Sequence, residues 1–198
     1  MNSCIYDFET LGQNVFECPA ISLAALRFDE ERFVNNPYSY DELLGQCKYI
    51  KFDVQEQVKE YGRKIEQSSL DWWKEQGAKA LRKIQPAADD VSISELYEFL
   101  SLDVQIHKCD KVYTRGNTFD PILLKSLLQN FNQTDPAKWW TIRDTRSYLE
   151  AMLYGSNIRD TFVPDELESV FIKHDPAHDV AMDVYRMQYV IRVIHVED

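Results

Sequence analysis

The chain has 198 residues, ample for one α/β domain with a sizeable core and tight for two. With 44% hydrophobic and 13% aromatic residues it does not read as disordered. Its net charge of −11 argues, taken alone, against nucleic acid as a partner, because backbone binding is driven by cations.

The chain opens with a short β-rich segment, Ser3 to Phe8, then a loop around Gly12–Pro19 and a mostly apolar second strand over Ala20–Phe28. Phe33 to Tyr40 is aromatic-rich with Pro37 inside it, which suits an edge strand or an irregular segment, and Lys48 to Phe52 reads as a further short strand. Val54 to Ile84 is mainly helical, with Ser68 or Ser69 capping Leu70–Gln76 and Pro86 closing the far end. Ser92 or Ser94 opens a helix through Leu100. Lys111 to Thr114 reads as a strand, followed by a Gly-Asn loop and a helix from Pro121 to Asn130. Trp139 to Ile142 reads as strand, Asp144 or Thr145 caps a helix through Leu153, and a last helix runs from about His178 to Ile194. Strands interleaved with helices indicate an α/β layer fold, taken as a single domain over 1–198.

The four cysteines show no CxxC spacing, the first residues lack a basic-then-apolar leader, and no apolar run reaches the ~18–20 residues of a membrane span. A cytoplasmic chain that does not engage a membrane is the expectation.

Three segments could carry chemistry. On a strand, Asp7 and Glu9 point to one face while Tyr6 and Phe8 point to the other, so two carboxylates converge and need a cation or a proton; the plainer reading is a solvated strand end. Asp120 before Pro121 is, taken alone, foremost a helix N-cap with proline behind it, a role that can coexist with a carboxylate facing a cleft. In the last helix Val180, Val184, Met187, Ile191 and Ile194 form an apolar stripe, and Asp183 sits on or beside it. A charge there is costly unless a metal or a basic side chain meets it. His178, five residues before Asp183, suits the loop or first turn, where it can swing over the same site; His174 is near enough to be confused with it. A metal held by such acids would turn the local negative charge into a phosphate-attracting patch.

Taken together, Asp7-x-Glu9, the Gly116–Asp120 loop and His178-x4-Asp183 resemble the DEDDh branch of the DnaQ-like exonucleases, over nearly the whole chain. Asp7-Phe8-Glu9-Thr10, Lys51-Phe52-Asp53, the double tryptophan of Leu70–Gln76, Arg115-Gly116, Arg143-Asp144 and His174-Asp175 through His178-Asp179 are similar to the subgroup that includes the exonuclease A of T-even bacteriophages and the mycobacterial RNase AS.

The resemblance implies an RNase H-like fold, a central mixed β-sheet of about five strands flanked by helices. It implies two Mg²⁺ or Mn²⁺ ions held by Asp7, Glu9, Asp120 and Asp183, with His178 as general base. The expected reaction is 3′-5′ removal of nucleoside 5′-monophosphates from single-stranded DNA, with RNA as the second substrate; the alternative is a catalytically silent nucleic-acid-binding module. Thr10, Leu11, Asn117 and Trp72 are the expected substrate contacts, Trp72 by stacking on a base, although a core position for one or both tryptophans is an equal reading. Lys48–Lys64 holds five basic residues that could track phosphates. A homodimer is expected by resemblance only.

Overall fold

The computed structural model describes residues 2–195, the side chains of Lys79, Ile194 and His195 excepted. The Ile194 side chain, last in the expected apolar stripe, and residues 196–198 of the expected domain therefore lie outside the described residues.

Five strands form one mixed sheet: β1 (Asn2–Thr10), β2 (Ala20–Asp29), β3 (Lys48–Lys51), β4 (Lys111–Thr114) and β5 (Ile142–Asp144), in spatial order β3-β2-β1-β4-β5. β2 is buried nearly throughout and β1 from Ser3 to Tyr6 and at Phe8, as expected of neighbouring inner strands, while Asp7, Glu9 and Thr10 at the end of β1 are partly open. They pair antiparallel, with Asp7 opposite Ala24 and Glu9 opposite Ser22, and the register shifts between Glu9 and Thr10. β4 runs parallel to both β1 and β5. This arrangement puts the C-terminal ends of β1 and β4 side by side, where open α/β sheets bind ligands.

The helices are α1 (Arg32–Asn35), α2 (Tyr40–Gln46), α3 (Val54–Tyr61), α4 (Gln67–Glu75), α5 (Ala78–Ile84), α6 (Leu96–Glu98), α7 (Asp120–Gln129), α8 (Thr145–Met152) and α9 (Pro176–His195). Strand alternation divides the core as the sequence requires. Cys4, Tyr6 and Phe8 pack with Leu123, Leu124 and Leu127 of α7 on one face. Ile5 faces Val180, Val184 and Met187 of α9 on the other. Asp7 and Glu9 alternate with Tyr6 and Phe8, so they share the face covered by α9.

Several boundaries differ from the sequence reading. Phe33–Tyr40 is not a strand: it spans α1 and the start of α2, which Ser39 caps by accepting from the Glu42 amide. The helical stretch 54–84 is three helices, because Gly62 and Gly77 both take left-handed backbone. No serine caps α4, which begins at Gln67; the preceding Glu66 instead accepts from the Gln13 and Asn14 amides. Ser92 caps a 3₁₀ turn (Ile93–Glu95), and the helix expected to follow is a short α6 passing into a π turn at Phe99–Asp103. The fifth strand starts at Ile142, since Trp139–Thr141 closes a 3₁₀ turn with the Thr141 amide on the Lys138 carbonyl. The last helix begins two residues earlier than expected, at Pro176. Among the described residues no helix is long and apolar enough to cross a membrane.

Candidate active site

A cavity of about 550 Å³ opens at the C-terminal end of β1, lined by Asp7, Glu9, Arg115, His174, Asp179 and Asp183, among others. β1 supplies the first two side chains by alternation. Asp120 reaches the same place from the first turn of α7, where its Oδ1 accepts from the Phe8 amide at 3.1 Å. The helix cap itself is Phe119, so the side chain of Asp120 is free to bridge to the strand between Asp7 and Glu9. Gly116, at φ +105°, makes the turn out of β4 that sends the chain toward α7.

Asp175 and Pro176 start α9. Asp175 Oδ1 accepts from the Ala177 and His178 amides at 3.1 and 3.3 Å, the N-cap arrangement with proline behind it. Asp179 therefore lies in the first turn and His174 in the loop just before it. Ligand atoms of Glu9, His174 and Asp179 all lie within 4.8 Å of one another.

The electrostatics are those of buried acids crowded together. Burial, then the charges of Asp120, Glu9, Asp179 and Asp183, push the Asp7 carboxyl well above the usual range. Burial, followed by Asp179 and Asp120, raises Glu9 to about 8. Burial holds Asp120 at about 7 against the opposing Phe8 amide. Burial and Asp183 raise Asp179 to about 7. Like charges so placed are relieved by a bound cation, and hard carboxylate oxygens suit a divalent one. Burial lowers His174, which favours its neutral form near pH 7.

Of two further residues expected at the centre, Asp183 lines the cavity with both its oxygens already hydrogen-bonded, and His178 lies outside its lining. Asp183, 2% exposed, has one oxygen on Arg115 (2.7 Å) and Arg186 (2.8 Å) and the other on the Thr145 hydroxyl (2.7 Å). The basic partners of the salt-bridge reading are present, at the wall of the cavity that Asp183 also lines. His178 turns away: its Nδ1 lies 2.9 Å from the Tyr40 hydroxyl and accepts from the Ile172 amide at 3.3 Å. The cause is the early helix start, which carries His178 inside α9 and leaves the loop position to His174. The spacing H-x4-D occurs twice, as His174–Asp179 and His178–Asp183, and the helix start at Asp175-Pro176 sets the first pair beside Glu9.

The expected substrate contacts also divide. Thr10 and Trp72 line a neighbouring cleft of about 390 Å³ with Glu9 and Phe119. Leu11 does not: its side chain is buried, its amide donates to the Pro19 carbonyl, and its own carbonyl accepts from the Glu66 amide. Asn117 is tied to the β4–α7 turn, its amide on Asp144 and its side-chain oxygen on the Thr114 hydroxyl. Trp73 is core, 1% exposed. In Lys48–Lys64, Arg63 is buried against the Cys18 carbonyl, and Lys51 and Lys64 are paired to Asp90 and Glu17.

Residues 2–185 match the 3′-5′ exoribonuclease Rv2179c-like domain. The chain belongs to the Rv2179c-like 3′-5′ exonuclease family. A curated relative, the exodeoxyribonuclease of Enterobacteria phage T4, is 31% identical over 205 residues, covering 95% of this chain and 88% of that protein. Among solved structures, exonuclease I superposes with a TM-score of 0.59 at 15% identity, over 98% of this chain and 41% of that one. A zinc-bound E. coli exonuclease I complex with single-stranded DNA gives 0.56 at 16% identity, over 100% and 41%. The chain thus spans about two-fifths of the exonuclease I structures it matches, and they share its RNase H-like, DEDDh-type fold. In this Rv2179c-like chain the acids lining the cavity come from the end of β1 and the first turns of α9, with Asp120 at the start of α7 bonded to the Phe8 amide between Asp7 and Glu9.

Proposed function

We propose that the chain hydrolyses single-stranded nucleic acid from the 3′ end with two divalent cations, Mg²⁺ or Mn²⁺, releasing nucleoside 5′-monophosphates as one domain over 1–198. The observation that carries this reading is the convergence of Glu9, Asp179 and His174 beside Asp7 in one cavity. Asp7, Glu9 and Asp179 would hold the ions, with Asp120 acting from the far side. When bound, the ions stabilise the attacking and leaving oxygens of an in-line displacement. His174, neutral near pH 7, takes a proton from the attacking water. Trp72 and Thr10 bound the cleft for the terminal nucleotide. Asp183 serves a different purpose in this reading: it balances Arg115 and Arg186 behind the site.

DNA is the favoured substrate, supported by the T4 relative named an exodeoxyribonuclease; the family description, an exoribonuclease, makes RNA the second. The homodimer remains a proposal that sedimentation would test. The deciding experiment offers 5′-labelled and 3′-labelled DNA and RNA strands to the protein with Mn²⁺, alongside His174→Ala and His178→Ala. His174→Ala is expected to lose about 10²–10⁴-fold in kcat, the usual worth of a general base. Equal losses of thermal stability with the larger loss of rate at His178 would overturn the assignment. No cleavage of any strand by the parent chain would favour the silent binding module.

A further inference from the structure

α4 and α5 form an arm that touches two consecutive residues of the loop before α9. Its root is fixed: the Trp73 indole N–H donates to the Thr10 carbonyl at 3.1 Å, and the ring packs with Leu11, Ile21 and Ala80. Trp72, the next residue back, is held edge-on to Trp73 and turns outward. Its ring meets the His174 imidazole edge to face, centroids 4.6 Å apart at 75°. Further along the arm, Lys83 on α5 pairs with Asp175, the cap of α9.

His174 needs such support. It sits at φ +61°, a left-handed backbone that non-glycine residues adopt at a cost. Its neighbour Asp175 starts the helix whose first turn carries Asp179, so the arm bears on both groups that face Glu9. Trp72 also forms a wall of the cleft containing Glu9 and Thr10. One indole therefore touches both the cleft proposed for a terminal nucleotide and the imidazole.

We propose that Trp72 is a positioning residue for His174, gripping it while Lys83 grips Asp175, so that a nucleotide packed on the cleft side of the indole firms the placement of the base. The proposal rests on the reading of this cavity as the active site. It assigns the more exposed tryptophan a role in turnover as well as in base stacking.

The test compares Trp72→Ala, Trp72→Phe and Lys83→Met with the parent for kcat and KM on a DNA oligonucleotide with Mn²⁺. It also compares the ring-proton NMR shifts of His174, assigned with His174→Ala, in metal-free protein. Trp72→Ala is expected to lower kcat by up to about 10²-fold, the scale of a small misplacement of a reacting group, and to move the His174 ring signals as the indole ring current is lost. Trp72→Phe should restore most of the rate, and Lys83→Met should lower kcat in the same direction with Trp72 in place. A rise in KM with kcat unchanged, and His174 signals unmoved, would overturn the proposal by leaving Trp72 a base-stacking residue only. The underlying active-site reading fails separately, if His174→Ala turns over like the parent.

Discussion

Replacing Asp120 by asparagine should make the metal-free protein more stable at alkaline pH while removing its activity. The side chain is 4% exposed, and burial raises its carboxyl from 3.8 to about 7. The sign follows from linkage. A folded-state pKa above the unfolded value means the native state holds the proton more tightly, so this group's contribution is intact below about pH 4 and is lost as pH rises through 7. At pH 8 the full shift of roughly 3 units applies, at about 1.4 kcal/mol each, or about 4 kcal/mol against folding. An asparagine at this position would remove that cost and keep an oxygen able to accept the Phe8 amide. Asp7, Glu9 and Asp179 share the same field and would ionise more readily beside a neutral amide, so the net gain is about 1–4 kcal/mol. For a chain of this size that is roughly 2–4 °C in Tm per kcal/mol. Thermal melts in a chelating buffer at pH 5.5 and pH 8 measure it: the advantage of Asp120→Asn should grow by up to about 2 kcal/mol between the two. Saturating Mn²⁺ should narrow or reverse the order. A pH-independent difference, or a less stable variant at pH 8, would refute the reasoning.

Other outcomes follow from the same geometry. Mn²⁺ at 100 times its Kd should stabilise the parent by about 2.7 kcal/mol and stabilise Glu9→Gln far less, read as a Tm shift; equal shifts would remove Glu9 from the ion site. Asp183→Ala should cost about 3–5 kcal/mol in denaturant unfolding, because it leaves Arg115 and Arg186 buried without their shared carboxylate. Parent-like stability would show that those arginines reach solvent. Trp73→Ala should cost about 3–5 kcal/mol as well, from the cavity and the lost bond to Thr10, whereas the half-exposed Trp72 should tolerate truncation with little change in Tm.

The outcome for α9 shows where one-dimensional reading stops. Its apolar stripe at Val180, Val184 and Met187 was legible, and so was the anomaly of an acid on that face. The two remedies for a buried carboxylate, a metal or a basic partner, have the same sequence signature. Arg186 lies one turn along the same helix, but Arg115 comes from 68 residues away, at the end of β4. Only the packing of α9 against the sheet brings it there. The same holds for His174 and His178: each precedes an aspartate by five residues, and a shift of two residues in the helix start decides which imidazole faces Glu9.

What the chain order alone determined was the face of β1 that carries Asp7 and Glu9, the α/β alternation, the position of Asp120 at a helix start, and the family resemblance. Those follow from short-range rules, the two-residue period of a strand and the chemistry of helix caps. Which acids meet, which of them an arginine already satisfies, and which tryptophan is core depended on contacts between elements distant in sequence. Burial and Coulombic fields are properties of the assembled interior, so the charge balance of the site could be decided only once the sheet and α9 had closed on it.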